Sequence, residues 1–378
     1  MYSLADYGSM VADRVRMGAY AEALKRSVQP GSVVVDLGAG AGIMSLIAVQ
    51  SGAVKVYAIE PSEALEVGRS MARANGMEDR IEFINACSEA VTLPERADVV
   101  VSDIRGVLPL LGENFRALAD ARERFLKPGG IFIPQCDTLW AALVEDPAAY
   151  GELTGGWDSD GLDLSAGRRM VLNSWKKLRA TPQQLVSEPV QWAQVDYRNL
   201  TSPSVAGHGQ APILRPGTAH GLCLWFDTVL LDGVGFSNAP SRPKAIYGQG
   251  FFPLLEPIAV EPGDSVRIAI RADLAGGDYT WTWNTCIRSS GGSIKTDQKQ
   301  SSFFAMPFSA ANLRMGADTF VPPSTKDATV DLAILDRFGS GQSLRQISVE
   351  VALRFPDRFR DWKAALDRVA ALSVRYPG

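Results

Sequence analysis

Apolar positions recur along this chain with two periods, and the change from one to the other divides it. Over residues 1–30 the spacing is helical: Met10, Asp13, Arg16 and Tyr20 lie three, three and four residues apart and share one helix face, which Pro30 and Gly31 end. Residues 32–37 are a continuous apolar run, with Val33, Val34 and Val35 leading into Asp36, and after a Gly-rich turn 43–50 resumes the helical period. A strand over 54–60 closing on an acid, a helix over 64–75, strands over 81–85 and 97–102, a helix over 114–125 and a strand over 131–134 complete this half. Strands alternating with helices predict right-handed crossovers and a parallel sheet. Beyond about Pro134 short β-rich runs take over (138–145, 190–196, 221–231, 265–271 and 279–285), separated by turns such as 261–264 and 290–292. They predict an antiparallel sandwich or barrel. Residues 202–216, rich in Pro, Gly and Ala, read as a long loop. At the end, 330–337 is apolar, 339–341 is a Gly turn, Ser343 caps a helix over 344–355, and a last helix runs from about 361 to 376.

Composition narrows the classes. A chain of 378 residues holds two domains and a small third module, and 46% hydrophobic with 21% charged residues is a folding composition rather than a disordered one. A net charge of −4 argues against a dedicated nucleic-acid binder. No run approaches the roughly 20 apolar residues that span a bilayer, and the N-terminus lacks a basic region followed by an apolar one, so neither a membrane partner nor a secretory signal is expected. Cysteines at 87, 136, 223 and 286 form no C-x-x-C pair and only His208 and His220 accompany them, which argues against a metal and fits a cytoplasmic compartment. Cys87 and Cys223 read as small core residues. The two histidines lie in a Gly/Pro-rich stretch.

The strongest chemical signal is the turn after the first strand. Gly38, Gly40 and Gly42, with Ala39 and Ile43, let backbone approach a ligand where strand passes into helix. A dinucleotide site has the spacing G-x-G-x-x-G. Here it is G-x-G-x-G preceded by Asp36, the motif of class I S-adenosylmethionine methyltransferases. That ligand carries an ammonium, a carboxylate and a sulfonium in its methionine part, and no phosphate. Asp36 faces the ammonium or anchors the loop. Glu60, followed by Pro61, ends the next strand, where a carboxylate accepts both ribose hydroxyls. Ser88 and Glu89 follow the third strand, where adenine contacts are expected.

The Met10, Asp13, Arg16, Tyr20 spacing, the run from Val34 to Ile43, the stretch from Gly52 to Glu60 and that from Leu126 to Pro134 resemble the protein arginine N-methyltransferase family. So do 224–227 and 235–240, and the resemblance covers about residues 7–310. It implies a Rossmann-like α/β class I methyltransferase domain followed by a β-barrel or sandwich, with S-adenosylmethionine as cofactor. It implies cofactor-capping helices over 1–30, a cofactor domain over 31–135, and a barrel over 136–325. An arm at about 147–170, with Tyr150, Leu153, Trp157, Leu162 and Leu164, would join a homodimer. Met10 and Arg16 would contact the cofactor, Arg16 through its carboxylate.

The substrate elements depart from the family. Its loop reads Ser-Glu-x-Met-Gly-x-x-Leu-x-x-Glu, and the two carboxylates grip a guanidinium. Here the first Glu is Asp103, Met is Arg105, and the second Glu is Gly112 in register with Glu113 one place late. Thr-His-Trp becomes Ala245, Ile246 and Tyr247, so the His that pairs with the position of Asp13 is missing. Two readings follow for the candidate catalytic set Asp103, Arg105, Glu113 and Asp13. Either Asp103 and Glu113 still grip a cation in altered geometry, or Arg105 holds an anionic group of a different acceptor, a peptide or small molecule. The second is the reading carried forward, because a fixed positive charge repels a guanidinium. As purely structural groups, Asp103 would cap the following segment and Glu113 would sit at a helix start. A cofactor-binding protein without turnover is the non-enzymatic alternative. Residues 326–378 resemble the helical part of winged-helix modules that hold leader peptides; a tail packed on the barrel is the simpler reading, since so short a segment barely makes its own core.

Overall fold

The computed structural model describes residues 3–158 and 161–376, which divide into two compact units, Met1–Met306 and Pro307–Gly378. The larger unit begins with α1 (Leu4–Ala12), α2 (Arg14–Ser27), β1 (Val33–Leu37), α3 (Ile43–Gln50), β2 (Lys55–Ile59), α4 (Leu65–Ala74), β3 (Ile81–Ile84), β4 (Ala97–Ser102), α5 (Asn114–Phe125) and β5 (Leu126–Ile133). The five strands pair in parallel in the order β3-β2-β1-β4-β5. All of β1 is buried, as a strand covered on both faces demands of its valines. The order reverses between β1 and β4, and the crevice at their carboxyl ends is where such sheets bind ligands.

Residues 1–30 do not form one helix. Asp13 stands between α1 and α2 in extended backbone, its Oδ1 accepting the N–H groups of Val15 and Arg16 at 3.1 Å. A carboxylate satisfies the orphan donors of a new helix better than it continues an old one. Met10 and Arg16 therefore sit on successive helices and meet through the bond from Arg16 Nη1 to the Met10 carbonyl, at 3.2 Å.

The rest of this unit comprises β6 (Cys136–Val144), α6 (Pro147–Thr154), α7 (Ser165–Val171), β7 (Lys176–Leu178), β8 (Val190–Asp196), β9 (Val205–Pro212), β10 (Gly217–Leu231), β11 (Val234–Ser237), β12 (Gln249–Val260), β13 (Ser265–Ala275), β14 (Asp278–Arg288) and β15 (Ile294–Ser301). They make two antiparallel sheets, β7-β12-β10-β6-β8 with β11 beside β10, and β15-β14-β13-β9. Trp192, Phe252, Trp281 and Trp283 fill the core between them, with the Phe252 and Trp281 rings 5.3 Å apart. Where a long loop was expected, β9 pairs with β13. Its loop-like composition has a packing cause: a Cβ on Gly207 would lie 1.6 Å from the Trp192 carbonyl oxygen, and one on Gly209 2.3 Å from Val190. Only glycine lets β9 lie that close to β8.

A second apolar cluster on β6, β10 and β12 is covered by α6. Tyr150 and Leu153, expected on the outward face of an arm, pack into this cluster, and Tyr150 donates to the Leu255 carbonyl at 3.0 Å. Trp157 and Leu162 stay exposed, at 40% and 67%. Cys223 is buried, which pushes its thiol up, whereas Cys87 is exposed rather than part of a core.

The smaller unit holds α8 (Ala310–Met315), α9 (Lys326–Leu335), α10 (Leu344–Arg354) and α11 (Trp362–Arg375). Ser343 caps α10 reciprocally with Gln346, as the sequence predicts. Among its described residues there is no strand, so the likeness to a winged-helix module stops at the helices. Val330, Ile334, Ile347, Val351, Val369 and Leu372 form a core within this unit. That core belongs to a unit starting at Pro307, earlier than the boundary at 325–326 that composition suggested. No helix among the described residues is long and apolar enough to cross a membrane.

Candidate active site

The crevice at the carboxyl ends of β1 and β4 widens into a cavity of about 790 Å³, closed by α1 on one side and by Trp175, Lys177, Ile246 and Tyr247 of the second half on another. Met10, Arg16, Asp36, Gly38, Ala39, Gly40, Ile43, Glu60, Pro61, Ser88, Glu89, Asp103, Arg105 and Glu113 all line it. Two residues expected there do not. Gly42 is the N-cap of α3, where a Cβ would lie 3.1 Å from Phe83 and 3.5 Å from Gly68. Asp13 caps α2 and accepts the Ile246 N–H at 2.7 Å through Oδ2. The missing histidine is thus replaced by a backbone donor, and Asp13 positions the 245–247 segment instead of acting in the cavity. His208 lies on β9 and His220 on β10 beside Tyr150; neither lines the cavity.

On the nucleotide side, Glu60 braces the Gly-rich turn, one carboxylate oxygen accepting the Gly40 N–H at 3.1 Å and the other the Ser62 N–H at 3.0 Å. Each oxygen keeps a lone pair for a ligand hydroxyl. Glu60→Ala is expected to weaken S-adenosylmethionine binding by about 1.5–3 kcal/mol, the worth of a charge-assisted bond. Titration calorimetry finding equal affinity for variant and parent would remove Glu60 from the ribose role. Arg124, which sequence reasoning passed over, holds the third-strand loop by donating to the carbonyls of Ser88 and Val91 at 2.7 Å.

Asp36 anchors the turn from below, accepting the Ser45 hydroxyl at 2.7 Å. Its burial pushes the carboxyl up to about 6, so the fold disfavours the charged form. The consequence for pH follows directly: Asp36 detracts from stability above about pH 6, and the cost disappears as pH falls toward its ordinary range. Asp36→Asn should therefore raise stability without cofactor at pH 8, by up to about 3 kcal/mol, and bring little gain at pH 4. Urea unfolding at the two pH values measures this.

The loop after β4 carries a buried ionic network. All five N–H donors of Arg105 are satisfied inside the protein: Nε and Nη2 reach both Asp137 oxygens at 3.1 and 2.9 Å, Nη1 reaches Asp103 at 3.1 Å and the Tyr20 hydroxyl at 2.9 Å, and Nη2 also reaches Thr228 at 2.8 Å. Tyr197 donates to Asp137 at 2.6 Å. Asp103 in turn accepts from Arg105, from Arg16 Nε and, at 2.6 Å, from the Tyr247 hydroxyl. Burial penalises its charge, yet the two guanidiniums hold Asp103 below the usual carboxylate range. Arg105 thus has no donor left for an acceptor, which corrects the expectation that it holds an anionic group.

Asp137, Tyr197, Thr228 and Tyr247 were not foreseen. The available signal was an acid, Asp137, just before an apolar run, which needs a buried base once the strand is covered.

The donor set fits S-adenosylmethionine. Arg16 lines the cavity with Nε and Nη1 engaged and Nη2 without a hydrogen-bond partner among the described residues, a fork edge free for a carboxylate. Glu60, with a lone pair left on each carboxylate oxygen, would accept the ribose hydroxyls.

Comparison with known proteins is consistent with this arrangement. Residues 20–135 match the family model described as ribosomal protein L11 methyltransferase (PrmA), and 135–279 that of the arginine methyltransferase oligomerization subdomain. Protein arginine N-methyltransferase 6 of Xenopus tropicalis is 31% identical over 270 residues, 67% of this chain and 78% of that protein. The chain belongs to the protein arginine N-methyltransferase family. An arginine N(omega)-methyltransferase of Streptomyces achromogenes subsp. streptozoticus is 30% identical over 280 residues, 69% of this chain and 74% of its own length. The fold is also that of the Trypanosoma brucei PRMT1 enzyme-prozyme heterotetrameric complex with AdoHcy, with a TM-score of 0.72 at 22% identity over 78% of this chain and 97% of that one. As a member of this family the protein is an S-adenosylmethionine-dependent methyltransferase.

Proposed function

We propose that this chain transfers a methyl group from S-adenosylmethionine to an ω-nitrogen of an arginine guanidino group. The observation that carries this reading is the state of Arg105. Its charge made a cationic acceptor look excluded, but the charge is spent on Asp137, outside the cavity lining. The Arg16, Asp103, Arg105 and Asp137 cluster is neutral as a whole, which leaves Glu113 as the carboxylate of the loop with room to meet a guanidinium. Glu113 also pairs with Arg116 at 3.0 Å, both half-exposed, a contact weak enough to be exchanged. The relatives above are named for arginine methylation, in line with the same reading.

The cofactor supplies a methyl already activated on a sulfonium, so alignment is the protein's main task. Glu113 accepts guanidinium N–H groups and sets the angle of approach. Asp103 orients Arg16 toward the cofactor carboxylate, and Tyr247 and Arg105 hold Asp103 in place. With Asp103 occupied, the grip on the acceptor rests on one carboxylate, which favours slow turnover of ordinary arginine-rich tails. The test is transfer of a labelled methyl group to free arginine, a Gly-Arg-rich peptide and its Gly-Lys counterpart, with hydrolysis and analysis for ω-methylarginine. Label on the lysine peptide alone, or on none of the three, overturns the proposal.

The same reading includes a homodimer through the arm, supported by exposed Trp157 and Leu162 and by the match of 135–279 to an oligomerization subdomain. Light scattering should give a dimer for the intact chain and a monomer after deletion of 151–165. An intact chain that stays monomeric at high concentration contradicts it.

A further inference from the structure

Lys177 lies on β7 and lines the cavity beside Trp175; Arg179 follows two residues later, just past the strand and outside that lining. Both point at the same short segment: Lys177 Nζ donates to the Ile246 carbonyl at 2.6 Å, and Arg179 donates to the carbonyls of Ala245 at 3.1 Å and Ile246 at 3.5 Å. Neither makes an ion pair among the described residues, whereas their neighbour Lys176 pairs with Glu152. Partial burial and the adjacent Arg179 push the Lys177 ammonium down, as befits a cation held near a like charge with no carboxylate at hand. Fixing the 245–247 segment needs donors, but one neutral donor per carbonyl would do so without the repulsion between two cations.

We propose that Lys177 and Arg179 form a carboxylate subsite, so that the preferred acceptor bears a carboxylate on the same molecule as the guanidino group. This rests on the guanidino reading above and deepens it. The chemistry has two sources: the α-carboxylate of free arginine, or an Asp or Glu side chain next to arginine in a peptide. In either case Glu113 meets the cationic end while Lys177 and Arg179 meet the anionic one. Such two-point capture also compensates for a guanidinium grip reduced to one carboxylate.

The experiment compares the parent with Lys177→Gln/Arg179→Gln on two acceptor pairs: L-arginine against L-argininamide, and a Gly-Arg peptide with Glu beside the arginine against the same peptide with Gln. In the parent the carboxylate-bearing member of at least one pair has the higher kcat/KM. In the variant that ratio falls by about tenfold, through KM, the size expected for charge-assisted contacts at a partly exposed site, and Lys177→Arg retains it. The pair that responds identifies the source of the carboxylate. A merely structural role lowers both members alike, and a ratio unmoved in both pairs overturns the subsite while leaving the guanidino reading standing. If the parent methylates none of the four, the subsite falls together with that reading.

Discussion

Arg105→Met, which restores the family's own residue at this position, should destabilise the larger unit by about 3–5 kcal/mol and lower activity with it. The side chain is 4% exposed and its partner Asp137 is fully buried. Removing the guanidinium leaves Asp137 with the Tyr197 hydroxyl as its remaining hydrogen-bond donor, and deprives Asp103 of one of its three. Methionine returns some apolar packing against Phe226 and Phe236, whose rings lie 5.5 and 5.9 Å from the guanidinium carbon, but packing does not solvate a stranded carboxylate. Breaking one half of a buried pair costs more than removing both. Arg105→Met combined with Asp137→Asn should therefore recover a large part of the loss. Urea unfolding followed by tryptophan fluorescence measures both variants. A single variant within about 1 kcal/mol of the parent, or a double variant no better than the single, would sink this account of Arg105.

What the sequence made legible divides along a physical line. The parallel sheet, the Gly-rich turn and the acids at strand ends are local signals: period, turn chemistry and a carboxylate at the end of an apolar run each act within a few residues. The cavity accordingly gathers the residues from Met10 to Glu89 that the sequence marked, apart from Asp13 and Gly42, which cap helices instead. The ionic network was not legible, because Arg105 meets Asp137 across 32 residues and Thr228 across 123, and only tertiary packing makes those contacts. A lone Arg in a substrate loop therefore read as a free charge. The histidine deficit misled for a related reason, since a backbone N–H replaces a side chain without leaving a trace in residue type. At β9 composition pointed the wrong way: glycines that permit close strand contact and glycines that loosen a loop are the same letter.

Glu113→Gln should lower kcat/KM for a guanidino acceptor about 100-fold, roughly 2.7 kcal/mol of transition-state stabilisation, and leave cofactor affinity within a factor of two. Gln keeps the shape and one acceptor oxygen but loses the charge that makes a carboxylate–guanidinium bond strong and directional. The fold should tolerate it: the side chain is 44% exposed, and its pairing with Arg116 is a surface contact worth less than about 1 kcal/mol. Asp103→Asn gives the contrast. Asp103 holds Arg16, so that change should weaken cofactor binding as well as turnover. Moving the acid back one place should not rescue activity. Gly112 has φ of +49°, a left-handed backbone that a glutamate adopts only at a cost, whereas Glu113 at φ −81° begins α5 without strain. The acid stands one position late because the turn entering α5 takes a glycine at 112. Gly112→Glu/Glu113→Gly should consequently be both less stable and less active than the parent. Calorimetry with S-adenosylmethionine and steady-state methylation of arginine separate the two acids. If Glu113→Gln loses cofactor affinity in step with activity, or keeps full activity, Glu113 is not the residue that grips the acceptor.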